Sequence, residues 1–284
     1  MKLTYTSEDV ERWRDRVYRR RPRLAVSTKR QALKFIDDVG FCFAFKSDHS
    51  ELPCLWHAAS GQRAPVMPRH THTDPFLSFV WKMKQVLPAE GKIYYGRVFR
   101  KRPTMISMEY FPAFYALSSR TGTSDDYLRE FRKHELSETG KHIMDALRTS
   151  SPQVTRGLKL ALGVPRGHGD RDFDKAMAEL QSKFYIVKVA EHYDPFTFEW
   201  NTVDRTYAKQ VRQALKIFPD KARERILTKY FENQLLSSVR AIQSLFGWKK
   251  QVIYETMGQL MKGGVIAGGA KLDGKDGKYY CLVK

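Results

Sequence analysis

Cysteine is scarce: Cys42, Cys54 and Cys281 are the only three in 284 residues. They are too few and too far apart for a disulfide framework or a complete thiolate zinc site, so free, buried thiols in a reducing compartment are expected. No apolar run approaches the roughly 18 residues of a membrane-spanning helix. The segment Met1 to Asp15 is charged rather than signal-like, so the expected location is the cytoplasm. A Gly-rich phosphate loop, a Gly-x-Ser-x-Gly elbow and a His-Glu-x-x-His pair are all missing, which removes the commonest nucleotide, ester and metalloprotease chemistries. Negative charge is also short: 31 aspartates and glutamates face 50 lysines and arginines, for a net charge of +19.

Such an excess concentrates polyanions, and clustered cations displace counterions from phosphates. Double-stranded DNA is therefore the first partner expected, RNA stays open beside it, and no membrane partner is called for. Hydrophobic residues make up 42% and aromatics 13%, enough for most of the chain to fold rather than persist as a basic tail.

A repeat organises the second half. Val154–Gly163 reads as a short helix closed by glycine, and Ser238–Gly247 repeats it, with Arg156 matching Arg240, Leu158 matching Ile242 and Gly163 matching Gly247 at an offset of 84 residues. An amphipathic helix precedes each stretch, marked by Ile143, Met144 and Leu147 in one and by Ile226, Leu227 and Tyr230 in the other. Another helix follows each, Phe173 to Lys183 and Lys249 to Lys262, and strand pairs close both units: 184–189 with 196–200, and 265–267 with 279–283 across a loop at 273–278. Helix, helix, helix, hairpin is the order of a winged helix.

The first half is less regular. Ser7 to Arg21 is a basic helix candidate, and Arg19, Arg20, Arg21 and Arg23 bracket Pro22. Thr28 with Gln31 has the form of a capping box, and Ala32, Leu33, Ile36 and Val39 make the stripe of a helix that Gly40 ends. Lys92 to Phe99 and Thr104 to Phe111 read as strands joined by a basic tip, Arg100-Lys101-Arg102-Pro103. His70, His72 and Asp74 would share one face of a strand as metal ligands do. Three ligands in one segment seldom make a complete site, however, so the histidines are assigned with His57 to a polar cleft, and no metal or cofactor is expected.

The order of these parts, a helical N-terminus ending in a glycine-aromatic strand, a basic hairpin and consecutive winged helices, resembles the AlkZ/YcaQ family of bacterial DNA glycosylases, and more closely its smaller AlkZ-related members. That resemblance implies DNA repair. Active members are described as excising alkylated or crosslinked purines with a Gln-x-Gln or Gln-x-Asp motif after a Leu-Gly-Tyr-like segment. Here the matching segment is Val39-Gly40-Phe41-Cys42, and the two motif positions fall on Phe43 and Phe45. Phenylalanine neither accepts a proton nor donates a hydrogen bond, so any excision chemistry would need a relocated carboxylate; Asp37, Asp38 and Glu109, the last on the second hairpin strand, are the candidates.

The expected fold is α+β, tandem winged-helix modules with an inserted basic β-hairpin. Its expected divisions are an N-terminal helical module at 1–60, a hairpin-containing region at 61–135, a winged helix at 136–204 and a C-terminal winged helix at 205–284. The expected function is a monomeric DNA-binding protein, with an active glycosylase and a winged-helix transcriptional regulator as alternatives. Phosphate contacts are assigned to Arg100, Lys101, Arg102, Arg156, Lys159, Arg240, Lys249, Lys250, Lys275 and Lys278, and base stacking or pocket lining to Phe43, Phe45, Trp56, His70 and His72.

Overall fold

The computed structural model describes residues 3–45, 52–70, 73–164 and 170–283. In chain order its first elements are β1 (Thr4–Tyr5), α1 (Ser7–Val17), α2 (Lys29–Val39), β2 (Phe41–Phe43), α3 (Leu55–Ser60), α4 (Pro75–Ala89), β3 (Ile93–Arg97), β4 (Pro103–Ser107), α5 (Phe111–Ala116) and α6 (Asp126–Arg132). Then come α7 (Glu138–Thr149), β5 (Gln153–Val154), α8 (Thr155–Ala161), α9 (Arg171–Ser182), β6 (Ile186–Tyr193), β7 (Phe196–Thr202), α10 (Val203–Thr206) and α11 (Ala208–Ala214). The last are α12 (Pro219–Gln234), β8 (Leu236–Ser237), α13 (Val239–Phe246), α14 (Lys250–Lys262), β9 (Ile266–Leu272) and β10 (Lys275–Leu282). The α+β content is as the sequence predicts. Residues pack into two compact units, 84–217 and 1–83 with 218–284, the division falling inside α4.

In unit 84–217 the first repeat runs α7, β5, α8, α9, β6, β7, with a sheet in the order β5-β7-β6. Ser137 caps α7 by accepting the Gly140 N–H, and Asp170 caps α9 by accepting those of Asp172 and Phe173. Ile143, Met144 and Leu147 from α7 meet Leu158 from α8, Phe173, Met177 and Leu180 from α9, and Ile186 and Trp200 from the sheet. Each fully buried aliphatic or aromatic side chain contributes roughly 1.5–3 kcal/mol. A second nucleus is aromatic: Tyr94 stacks on Phe111 at 5.1 Å, and Phe184 and Tyr207 pack against both rings. The Tyr207 hydroxyl donates to the Ile93 carbonyl at 3.0 Å.

In the other unit the second repeat has the same order, α12, β8, α13, α14, β9, β10, and its sheet runs β8-β10-β9 with β1 added in parallel, Thr4 opposite Lys271. Ser238 caps α13 by accepting the Ala241 N–H, and Gly247 ends it at φ 71°, a left-handed conformation suited to glycine. The predicted Thr28–Gln31 capping box starts α2, and Gly40 stops it at φ 74°. Asn233 on α12 is buried and donates to the Val39 carbonyl at 2.8 Å, satisfying an otherwise orphaned group at the end of α2. The basic run after α1 is largely neutralised: Arg19 pairs with Asp38 at 2.7 Å and Arg20 with Glu11 at 2.7 Å. Cys42, Cys54 and Cys281 are free and buried, and burial pushes the Cys42 thiol well up.

Local structure departs from expectation at four places. The basic hairpin is shorter than expected, with Ile93 opposite Ser107 and Arg97 opposite Pro103, and its tip at Phe99–Lys101 is a tight turn in which Arg100 and Lys101 adopt left-handed φ of 50° and 56°. Glu109 lies in a turn after β4, exposed, instead of on a strand. The apolar run from Phe111 to Ala116 is the buried helix α5, a choice that periodicity alone cannot make over six residues. Finally, the C-terminal hairpin extends through 273–278, so that Lys275 and Lys278 lie on β10 and not on a loop.

Candidate nucleic-acid interface

Helix α14 buries Ile253, Thr256, Met257 and Leu260 on one side. Its other side is open: Lys250, Tyr254 and Met261 follow one another at helical spacing, with Tyr254 53% exposed and Met261 41%. A side chain added at Gly258, on the same stripe, would meet nothing within 4 Å. Arg240, Lys249, Lys250, Lys275 and Lys278 are all exposed, and among the described residues none pairs with a carboxylate. Strand β1 borders the β9–β10 hairpin through exposed Lys271. The sequence assigned all five of these cations to phosphate contact, and the structure leaves all five available.

Helix α9, the counterpart of α14, differs. Phe173, Ala176, Met177, Ala178, Leu180 and Gln181 are buried, too many for one face. The extra coverage comes from β3: Tyr94 Oη donates to the Gln181 carbonyl at 2.7 Å, and the Arg97 N–H donates to Gln181 Oε1 at 3.3 Å. Only Arg171, Asp172, Asp174 and Lys175 of α9 are exposed, two charges of each sign. Elsewhere in this unit Arg100, Lys101, Arg102 and Arg156 are exposed, while Lys159 is half-buried with its ammonium 5.2 Å from the Phe173 ring centre.

Between α9, the β3–β4 hairpin and the β6–β7 hairpin lies a cleft of about 380 Å³, lined by Lys84, Tyr95, Arg97, Phe173, Lys188, Phe198 and Trp200 among others. A bulge shapes its floor. Lys188 stands opposite Trp200 and Ala190 opposite Glu199, so Val189 is an extra residue. In a regular strand residues 188 and 191 would point to opposite faces; the insertion turns both to the face of Phe198 and Trp200. Lys188 thereby pairs with Glu191, and its ammonium lies 5.1 Å from the ring centres of both Tyr95 and Phe198. Glu191 also accepts from Lys84 at 3.0 Å and from Gln85 at 2.7 Å. Burial, assisted by the charge of Lys84 and opposed by Glu191, brings Lys188 down to about 8. Glu191 itself is held below the usual carboxylate range, because the pairing with Lys188 and Lys84 outweighs its burial. The sequence reading missed this cluster entirely.

A family model described as "AlkZ related" matches residues 26–247. The chain belongs to the AlkZ-related family. No functionally curated protein matches it in sequence. Among solved structures, the Streptomyces sahachiroi DNA glycosylase AlkZ superposes with a TM-score of 0.59 at 12% identity, over 99% of this chain and 70% of that one, a likeness of fold.

In this AlkZ-related chain the segments of Phe43 and Trp56 lie side by side, Phe43 bridging to Cys54 and the Trp56 N–H donating to the Ala44 carbonyl at 3.2 Å, but the residues expected to do chemistry or stack on a base differ in setting. Phe43 and Trp56 are each 1% exposed, so neither presents a ring face to a ligand; Phe45 is half-buried. Asp38 is exposed at the end of α2, where it pairs with Arg19 and with Lys34 at 2.9 Å, and Asp37 beside it is exposed. His70 is exposed, and His72 lies outside the described residues. Asp74 is a helix cap: its Oδ1 accepts the Leu77 N–H at 2.7 Å and Pro75 is the first residue of α4. His57 lies on α3, half-buried, with its ring 5.9 Å from that of Trp56. Among the described residues no three His, Cys, Asp or Glu side chains are grouped to hold a metal, and no helix is long and apolar enough to cross a membrane.

Proposed function

We propose that this AlkZ-related protein is a cytoplasmic DNA-repair protein that binds double-stranded DNA as a monomer. Its two repeats act as winged helices, and α14 is the helix that meets the groove. The observation that carries this reading is the difference between equivalent helices: α14 has an uncovered face with Lys250 and Tyr254 on it, whereas α9 is covered by β3. Arg240, Lys249, Lys250, Lys275 and Lys278 supply phosphate contacts around α14, and Arg100, Lys101, Arg102, Arg156 and Lys159 supply others from unit 84–217. Such contacts position DNA without reading its sequence.

A second reading, excision of a damaged base, is favoured by the aromatic cleft of unit 84–217, whose volume of about 380 Å³ falls in the roughly 300–1,000 Å³ range of ligand pockets. The glycosylase activity named for the Streptomyces protein supports that reading. The buried setting of Phe43 speaks against chemistry at the family's motif positions, and the exposed setting of Asp37, Asp38 and Glu109 leaves any of them without an enclosed pocket. One experiment addresses both readings: single-turnover incubation with end-labelled duplexes carrying 7-methylguanine or an interstrand crosslink, scoring bound complex and alkali-labile breaks together. Salt-sensitive binding without breaks is the result expected of a DNA binder, breaks establish a glycosylase, and neither one rejects the proposal.

A further inference from the structure

We infer that Lys188 is an amine nucleophile that captures an aldehyde, and that its substrate class is the ring-opened sugar of an abasic site in DNA. The inference rests on the DNA-binding reading for its substrate and on the cleft for its chemistry.

Three observations converge on this lysine. Its side chain is 6% exposed yet lines a cleft open to an entering group. Its nitrogen lies 5.1 Å from the ring centres of Tyr95 and Phe198, whose faces attract a cation, but its burial outweighs that attraction, and the desolvation that lowers its proton affinity is that of an activated amine. The Val189 bulge places Glu191 on the same face, in contact with the ammonium. A plain structural ion pair would be satisfied by one lysine; here Lys84 already pairs with Glu191 at 3.0 Å, so Lys188 is the second cation on a single carboxylate.

The surroundings select the substrate. The strands that line the cleft at Gly96, Arg97 and Pro103 end in the Arg100–Arg102 tip, a place for the phosphates flanking a damaged nucleotide. Phe173, Phe198 and Trp200 offer apolar walls to a sugar or an adjacent base. In the reaction, the Lys188 ammonium passes a proton to Glu191 and the freed lone pair attacks the aldehyde carbon. One N–H proton moves to the former carbonyl oxygen. The carbinolamine then expels hydroxide, which recovers the proton from Glu191 and leaves as water, giving a protonated imine with Glu191 again ionised. Hydrolysis reverses each step, so no oxidant, reductant or metal is consumed.

The test is reductive trapping of the full-length protein. A duplex with a single abasic site and, separately, 2-deoxyribose 5-phosphate are incubated with the protein and sodium cyanoborohydride, retention of the duplex is followed by anisotropy without reductant, and adducts are mapped by peptide mass. A covalent protein–DNA complex mapped to Lys188, absent with an intact duplex and lost in Lys188→Arg, is the expected result. Lys188→Arg keeps a cation for Glu191, so a melting temperature close to that of the unaltered protein is expected of it and checks that the fold persists. Retention of the abasic duplex without an adduct at Lys188 overturns the inference. If no duplex is retained, the DNA-binding reading has failed and the sugar phosphate decides: an adduct on Lys188 supports the amine chemistry, and labelling spread over surface lysines overturns it.

Discussion

Arg120 and Glu130 form a buried ion pair, Nε donating to Oε1 at 2.9 Å with side-chain exposures of 3% and 14%. The guanidinium also lies 3.5 Å from the centre of the Tyr185 ring, and Lys183 reaches the second carboxylate oxygen at 3.0 Å. Burial alone would raise the Glu130 carboxyl, but Arg120 and Lys183 more than offset it and hold it below its usual value. A depressed folded-state value gives stability that is present above the unfolded carboxylate's ordinary value and is lost as pH falls through the folded one. Glu130→Gln should therefore cost about 3 kcal/mol near neutrality, since it leaves Arg120 buried without its counter-charge. In urea titrations the gap from the unaltered protein should narrow below about pH 4; a constant gap would contradict the linkage.

Lys188 predicts the opposite limb of the profile. Its folded-state value is brought down to about 8 from the ordinary 10.5, so between these the unfolded chain binds more protons and stability rises with pH. Above about pH 10 the buried hydroxyls of Tyr94, Tyr95 and Tyr207, all pushed up by burial, make stability fall, because the unfolded tyrosines ionise first. The rise is thus confined to about pH 8–10, and Lys188→Met should abolish it. Urea midpoints at three pH values within that window measure the effect.

Restoring a polar residue at the first motif position should not restore chemistry. Phe43 is 1% exposed and its N–H donates to the Pro53 carbonyl at 2.9 Å, so Phe43→Gln buries an amide where a ring packed. The expected outcome is a loss of about 3 kcal/mol and no alkali-labile breaks in lesion-bearing duplexes. Excision by that variant would return the active site to the family's position.

The hairpin tip has its own signature. Each phosphate contact contributes about 0.9 to the slope of log affinity against log salt. Replacing Arg100, Lys101 and Arg102 together by alanine should lower that slope by about 2 to 3 if all three touch backbone. An unchanged slope removes the tip from the interface.

What the sequence made legible was local. The Thr28–Gln31 capping box, the Gly40 and Gly247 stops and the helices repeated at an offset of 84 residues all follow from periodicity and capping chemistry. Strands β5 and β8 are two residues each, too short for alternation to register, although each completes its sheet. The Lys188–Glu191 pair was invisible because period-two reasoning puts the two residues on opposite faces; a one-residue bulge, which depends on pairing with β7, reverses that. Coverage of α9 by β3 joins residues more than eighty positions apart, and no local pattern records it. The cations around α14 were legible as residues, while their availability was not, since exposure depends on what else packs nearby.

The most direct test of the account is salt-dependent anisotropy of a fluorescent duplex with two variants: Lys249→Ala/Lys250→Ala/Tyr254→Ala on and before α14, and Arg171→Ala/Lys175→Ala on α9. The α14 variant should lose at least about tenfold in affinity and about 2 from the salt slope, with the α9 variant close to the unaltered protein. Unchanged binding by the α14 variant, or an equal loss in the α9 variant, would contradict it.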